Sequence, residues 1–303
     1  MADLSVKIAG IPFKNPVIAA SGCYGFGLEY EDFYPLERLG GVSLKGLTLE
    51  KRPGNPPPRI AETPAGMLNS VGLQNPGVDD FLDKELPKIA GQDVVRIANI
   101  AGKTAEDYRE LALRLQEAPV DLLEVNISCP NVREGGAAFG ASCEGAAAVT
   151  RAVRQAARQP VIVKLSPNVT DIASIAKAVE SEGADGISLI NTLLGMRIDI
   201  ERRRPVLHNN TGGLSGPAIF PVAVRMVWQA ARAVSIPVIG LGGIASAEDA
   251  IEMMMAGASA VQVGEACFHD PYAPVKIIEG MNAWLDSHQI ERISDITGTV
   301  QPW

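Results

Sequence analysis

The sequence predicts an α/β protein folded as a (β/α)8 barrel, and three observations predict it. Eight short, β-branched apolar runs recur along the 303 residues. A helix-like amphipathic stretch follows each run, the pattern of repeated βα units around a parallel sheet. The runs are continuously apolar rather than alternating, as in strands covered on both faces. Composition agrees, since 47% hydrophobic and 20% charged residues supply a large core and an ordinary surface. We expect one TIM-barrel domain spanning 1–303.

Taken in order, the opening VKIAGIPFKNP forms a small hairpin, turning at Gly10-Ile11 and placed to close the barrel floor. Strand one is Val17–Ala20 with helix Glu29–Leu39, and strand two is Val42–Leu44 with helix Val78–Ile89. Strand three, Val94–Ala98, precedes a helix that Thr104 opens as a cap, with acids in its first turn, running to about Glu117. Leu122–Val125 pairs with Glu144–Arg158, Val161–Val163 with Asp171–Glu182, and Gly186–Ile190 with Pro217–Ala233. Val238–Leu241 then leads to Ser246–Ala256, and Ala260–Val263 to Pro274–Ser287. A doubly wound sheet is the competing architecture, but it needs a G-x-G-x-x-G turn after an early strand, and none stands there. The connections from strand two to three and from six to seven are long. Long ordered loops inside a compact domain are usually functional, and in this fold the loops after the strands form the active face.

Several function classes fall away. A net charge of −8 argues against binding nucleic acid or an anionic membrane. The longest run free of charged residues, Pro205–Val224, holds three Gly, three Pro, two Asn and a His, so it cannot span a bilayer. Cys23, Cys129, Cys143 and Cys267 form no C-x-x-C pair and have no His at ligand spacing, so we expect no metal, reduced thiols and a cytoplasmic protein. The start MADLSVKIAG lacks the apolar stretch of a secretory signal.

The residues that close each strand carry the chemistry. In order they are Ser21-Gly22, Lys45-Gly46, Asn99, Asn126, Lys164, Asn191-Thr192, Gly242-Gly243 and Gly264-Glu265. Two lysines and three asparagines at the ends of buried strands cost desolvation unless they meet a ligand or each other. No pair of carboxylates stands at these ends, which disfavours glycoside hydrolysis. No His cluster stands there either, which disfavours metal-assisted hydrolysis. A neutral-to-cationic mouth rich in amides suits a planar, hydrogen-bonding, anionic ligand. Gly242-Gly243 and Gly264 follow strands seven and eight, where many barrels hold phosphate on bare amides; simple tight turns are the other reading. A phosphorylated cofactor such as FMN would place its phosphate there. Cys129, in Asn126-Ile-Ser-Cys-Pro-Asn131, follows strand four and can act as general base or nucleophile if its thiolate is accessible. Cys23 has a weaker claim, and Cys143 and Cys267 default to packing.

The segments SGCYGFG, GMLNSVGLQNPG, EVNISCPN, VKLSPNVTDI, INTLLGMRID, TGGLSGPA, GLGGI and MAGASAVQVG together resemble dihydroorotate dehydrogenase of class 1. The match runs in register from about Leu4 to beyond Met281. The cysteine in NISCPN sets the chain apart from the membrane-associated class 2, and SGCYGFG with INTLLGMRID is most similar to the class 1B catalytic subunit.

The resemblance implies oxidation of (S)-dihydroorotate to orotate in pyrimidine biosynthesis, with Cys129 as base and Lys45 stabilising charge. Around one FMN per chain it implies Ser21, Lys45, Gly46, Asn99, Asn126, Lys164, Ile190, Gly216, Gly242, Gly243, Gly264 and Glu265. Around the pyrimidine it implies Lys45, Asn69, Ser70, Val71, Gly72, Leu73, Asn126, Asn131, Asn191 and Thr192. Glu265 departs from the threonine common after the glycine. A carboxylate beside phosphate is unfavourable, so its side chain is expected to turn outward.

Class 1B further implies a homodimer at the core of a heterotetramer, flanked by an NAD-linked subunit carrying FAD and [2Fe–2S]. Arg202-Arg203-Arg204 is read either as a contact for that subunit or as a solvated loop. A fumarate-linked class 1A enzyme and a Schiff-base aldolase using Lys164 are the alternatives.

Overall fold

The computed structural model describes residues 2–128 and 139–303. Eight parallel strands close into a barrel: β1 (Val17–Ala19), β2 (Gly41–Ser43), β3 (Val95–Ile100), β4 (Leu122–Asn126), β5 (Val161–Lys164), β6 (Gly186–Leu189), β7 (Val238–Leu241) and β8 (Ala260–Val263). They lie in sequence order, and β8 pairs with β1 to remove the last edge. Almost every strand residue is buried, as continuous apolar runs require. The main core lies between strands and surrounding helices, holding Val125, Val163 and Val263 among many others.

The floor is a separate apolar cluster. Ile18, Ile97, Leu122, Ile162, Ile239 and Ala260, near the starts of their strands, pack under Ile8 and Phe13 of the N-terminal hairpin. That hairpin pairs Val6–Ile8 with Ile11–Phe13, and its turn is Ala9-Gly10, one residue earlier than expected. Both turn residues have positive φ (49° and 85°), the backbone that suits a two-residue hairpin.

The helices form where caps and periodicity place them. Thr104 and Ser246 each make a reciprocal capping box with the Asp three residues on, opening Ala105–Arg114 and Ala247–Met255. Asp171 caps Ile172–Ser181 and Ser142 caps Cys143–Ala156. Val78–Ile89 is helical throughout, with one wide turn at Phe81–Glu85 just before Pro87, which has no N–H to donate.

The expected helix at Glu29–Leu39 is corrected. Only Leu36–Arg38 forms a single tight turn. Pro35 is extended there (φ −61°, ψ 138°), and a proline inside a helix would break it. The Glu29 carboxylate instead accepts the backbone N–H groups of Phe26 and Gly27 at 3.0 Å. The segment is fixed by aromatic packing, with the Tyr24 and Tyr30 rings stacked 4.3 Å apart.

The two long connections are not loops alone. Ile60–Thr63, Gly66–Asn69, Gly212–Ser215 and Leu193–Gly195 form one antiparallel sheet, ordered 193–195, 212–215, 66–69, 60–63. Beyond it, Ile198–Asp199 pairs with Arg204–Pro205, leaving Arg202, Arg203 and Arg204 exposed on a projecting arm. Among the described residues no helix is long and apolar enough to cross a membrane.

Candidate active site

The carboxyl ends of the strands open into two joined cavities. The wider, about 410 Å³, lies between the barrel and the antiparallel sheet and is lined by Lys45, Gly46, Asn69, Asn99 and Asn126 among others. The narrower, about 90 Å³, lies towards β7 and β8 and is lined by Ile190, Gly216, Gly242, Gly243, Gly264 and Glu265 among others. Ser21, Cys23, Lys164, Asn191 and Thr192 border both. The strand ends therefore bring together nearly every residue that the sequence singles out. Val71, Gly72 and Leu73 line the wider cavity, whereas Ser70 is buried behind that wall, with Asn55 donating to its hydroxyl at 3.2 Å. Cys129 and Asn131 lie outside the described residues.

The narrow cavity depends on absent side chains. A Cβ on Gly243 would stand 2.8 Å from Gly216 O and 2.9 Å from Phe220 N, and its φ of +77° already favours glycine. A Cβ on Gly242 would meet Ala223 and Ile190 at 2.9 Å. Glu265 overturns the expectation that it turns outward. It is 8% exposed, and its Oε1 pairs with His269 Nε2 at 2.8 Å. Glu265 caps helix Ala266–His269 with helical backbone, so the two side chains, four residues apart, meet on one face while the carboxylate stays buried.

The wide cavity is lined with fixed polar groups. Ser21 Oγ donates to Leu44 O at 2.7 Å. Asn126 Oδ1 accepts from Ser128 Oγ at 2.9 Å, and Asn191 Nδ2 donates to the same hydroxyl at 2.7 Å. Asn191 Oδ1 in turn accepts the Thr192 N–H at 2.7 Å. Ser128 thus ties Asn126 to Asn191, and its one signal in the sequence was its place two residues after Asn126. Cys23 is partly open to the cavity. Burial pushes its thiol up to about 11, although Lys164 and Lys45 pull the other way.

A buried charge at the site that the sequence does not single out is Glu124, inside the apolar run of β4. It is wholly buried. Its Oε2 accepts from Ser43 Oγ and Asn99 Nδ2, each at 2.7 Å, and lies 3.9 Å from Lys164 Nζ. Its Oε1 accepts from Ser188 Oγ at 2.8 Å and Gln262 Nε2 at 2.7 Å. Burial alone would push the carboxyl up. Lys164 and the bonds from Ser43, Ser188 and Gln262 outweigh burial and hold it below the ordinary carboxylate range. Ser43, Glu124, Ser188 and Gln262 come from the even-numbered strands, so they form one side-chain layer of the barrel. The only sequence signal was a charged residue in a run otherwise buried on both faces.

Chemically, the mouth joins a glycine-walled pocket to a larger one offering amides and two lysines. Asn99 Oδ1 and Gln262 Oε1 are buried there without a hydrogen-bond partner among the described residues. Buried polar atoms of this kind are normally satisfied, so the pocket suits a ligand that brings N–H donors. Among the described residues no group of three or more His, Cys, Asp or Glu is arranged to hold a metal ion.

Comparison with known proteins is consistent with this geometry. The family model described as dihydroorotate dehydrogenase matches residues 3–285. The "Dihydroorotate dehydrogenase B (NAD(+)), catalytic subunit" of Anoxybacillus flavithermus is 56% identical over 299 residues, covering 98% of this chain and 96% of that protein. The protein of the same name from Bacteroides thetaiotaomicron is 54% identical over 302 residues, covering 99% of this chain and all (100%) of that one. The crystal structure of DHODH from Eimeria tenella, in complex with ferulenol, superposes with a TM-score of 0.85 at 24% identity. It covers 98% of this chain and 88% of that one, a likeness of fold.

Proposed function

The chain belongs to the dihydroorotate dehydrogenase family, and from that premise we propose that it oxidises (S)-dihydroorotate to orotate in de novo pyrimidine biosynthesis, using FMN. The observation that carries the proposal is the pair of joined cavities, one walled by glycines and one by amides and lysines. The residues present fit FMN. Gly242 and Gly243 line the narrow cavity and present backbone without side chains, as a phosphate site does, and the unpartnered Asn99 and Gln262 oxygens match the N–H edge of a flavin.

In this reading Gly216, Gly242, Gly243, Gly264 and the backbone of Glu265 hold the phosphate. Ser21, Lys45, Gly46, Asn99, Asn126, Lys164 and Ile190 hold the ring. Dihydroorotate rests against Lys45, the stretch from Asn69 to Leu73, Asn126, Asn131, Asn191 and Thr192. Their amides can donate to the carboxylate and accept from ring N–H groups. Cys129, as thiolate, removes the proton from C5. Bound FMN supplies the acceptor for the hydride that leaves C6. Lys45 places a fixed cation where negative charge develops and also holds the substrate.

The names of the relatives, a catalytic subunit linked to NAD(+), support a separate electron-transfer partner. We infer that this partner carries FAD and [2Fe–2S], that two copies flank a dimer of this chain, and that the heterotetramer is cytoplasmic. The test is twofold. The purified chain is expected to be yellow and to release FMN on denaturation. With dihydroorotate it is expected to reduce NAD only after the partner subunit is added. Brisk NAD reduction by the chain alone would overturn the two-subunit reading, and efficient fumarate reduction would favour class 1A.

A further inference from the structure

Glu124 has no place in the reaction described above, yet its buried carboxylate accepts four side-chain hydrogen bonds. An ionised carboxylate only accepts hydrogen bonds. Any amide that faces it must therefore present its NH2 group. Asn99 and Gln262 both do so, at 2.7 Å. Each amide is thereby fixed in one of its two orientations, and each is left with an oxygen that has no partner among the described residues. Asn99 borders the wide cavity and Gln262 the narrow one. A Cβ on Gly46 would come within 2.9 Å of Asn99 Oδ1, so this glycine leaves the oxygen room for a partner. The same carboxylate stands 3.9 Å from Lys164 Nζ, which borders both cavities. One buried anion thus governs two acceptors and a cation at the centre of the mouth.

We propose that Glu124 is a positioning residue for the cofactor ring, holding Asn99 and Gln262 with their acceptors available to it and offsetting the charge of Lys164. The proposal rests on the FMN reading above and adds a consequence for the cofactor itself. A negative charge at the centre of the mouth would oppose an electron-rich reduced flavin, so Glu124 would lower the potential at which bound FMN is reduced. It also selects a ring edge that donates hydrogen bonds, because the two amides cannot turn over while they face a carboxylate.

The experiment compares Glu124→Gln with Ser43→Ala in the holoenzyme and in apoprotein titrated with FMN. The glutamine is nearly isosteric but removes the charge, and its NH2 end donates toward one of the two amides, which turns that amide over. We expect FMN to bind about tenfold more weakly to Glu124→Gln and its visible absorption to shift. We also expect its potential to rise by ~30 mV, equivalent to tenfold for a two-electron couple. Ser43→Ala removes a hydroxyl from the same carboxylate without bordering either cavity. It is expected to lower Tm while leaving FMN affinity and potential at wild-type values. A Glu124→Gln protein that loses Tm but keeps wild-type affinity, spectrum and potential would overturn the proposal. So would a Ser43→Ala shift of equal size. If Glu124→Gln does not fold, Gln262→Met keeps the carboxylate and removes one acceptor. Several-fold weaker FMN binding supports the proposal, and wild-type affinity refutes it. A wild-type chain that binds no FMN would instead bring down the FMN reading, and this inference with it.

Discussion

Glu265 Oε1 and His269 Nε2 face each other at 2.8 Å across one helical turn, and the pair holds a carboxylate inside the narrow end of the mouth. The Glu265 carboxyl carbon lies 3.1 Å from the place a Cβ on Gly216 would take. A carboxylate beside a phosphate is repulsive by about 1 kcal/mol at several ångströms in a well-solvated setting, and by more in a drier one.

Glu265→Thr is therefore expected to tighten FMN binding about fivefold or more, since 1.4 kcal/mol is a factor of ten. The gain should shrink as salt is raised. Fluorescence titration of apoprotein with FMN measures both. Unchanged affinity at low and high salt would place the phosphate away from Glu265.

Cys129→Ala is expected to retain FMN and to lower the rate of flavin reduction by dihydroorotate by about two to four orders of magnitude, the range of a general base. An ordinary thiol titrates near ~8.5. If Cys129 is the base, the wild-type rate should rise with pH through the mildly alkaline range as the thiolate forms. Stopped-flow reduction across that range reads this out, and the variant should lack the rise.

Cys23 behaves differently, although it borders both cavities. Its thiol is pushed up to about 11 by burial, so the thiolate forms only above that pH. Cys23→Ala is expected to change the rate of flavin reduction less than threefold and to leave its alkaline rise in place. Loss of the rise in Cys23→Ala would transfer the base to this cysteine.

Gly243→Val is expected to be colourless when purified. The substitution forces a branched residue to φ +77° and drives its Cβ to 2.8 Å from Gly216 O. The strained backbone alone costs about 1–3 kcal/mol, so Tm should fall as well. Absorbance at the flavin band, together with a melting curve, separates lost cofactor from lost fold. A yellow, fully active variant would move the phosphate site elsewhere.

The barrel was legible because each strand is a compact apolar run bounded by turn residues, and Thr104 and Ser246 announce their helices by capping chemistry. The segment after β1 was misread because its acidic and aromatic residues imitate a helix while Pro35 forbids one. The strand-end residues were legible because a lysine or asparagine that closes a buried strand costs energy unless something answers it. Glu124 was not, because its partners Ser43, Asn99, Ser188 and Gln262 come from four other strands. Only closure of the barrel brings them to one carboxylate. The inward turn of Glu265 was hidden for a related reason, since the geometry of a short helix decides where its side chain goes.

The antiparallel sheet over the mouth makes two distant insertions a single heritable part. Asn69 stands opposite Gly213, Leu68 opposite Leu214 and Met67 opposite Ser215. Side chains alternate faces along a strand, so a one-residue slip of Gly66–Asn69 would carry Asn69 to the opposite face, and a slip of Gly212–Ser215 would break its pairing with that strand. The registers of these two strands are therefore set by each other, even though nearly half the chain separates them. Grafting one of them alone from another barrel would deliver a wall without its counterpart.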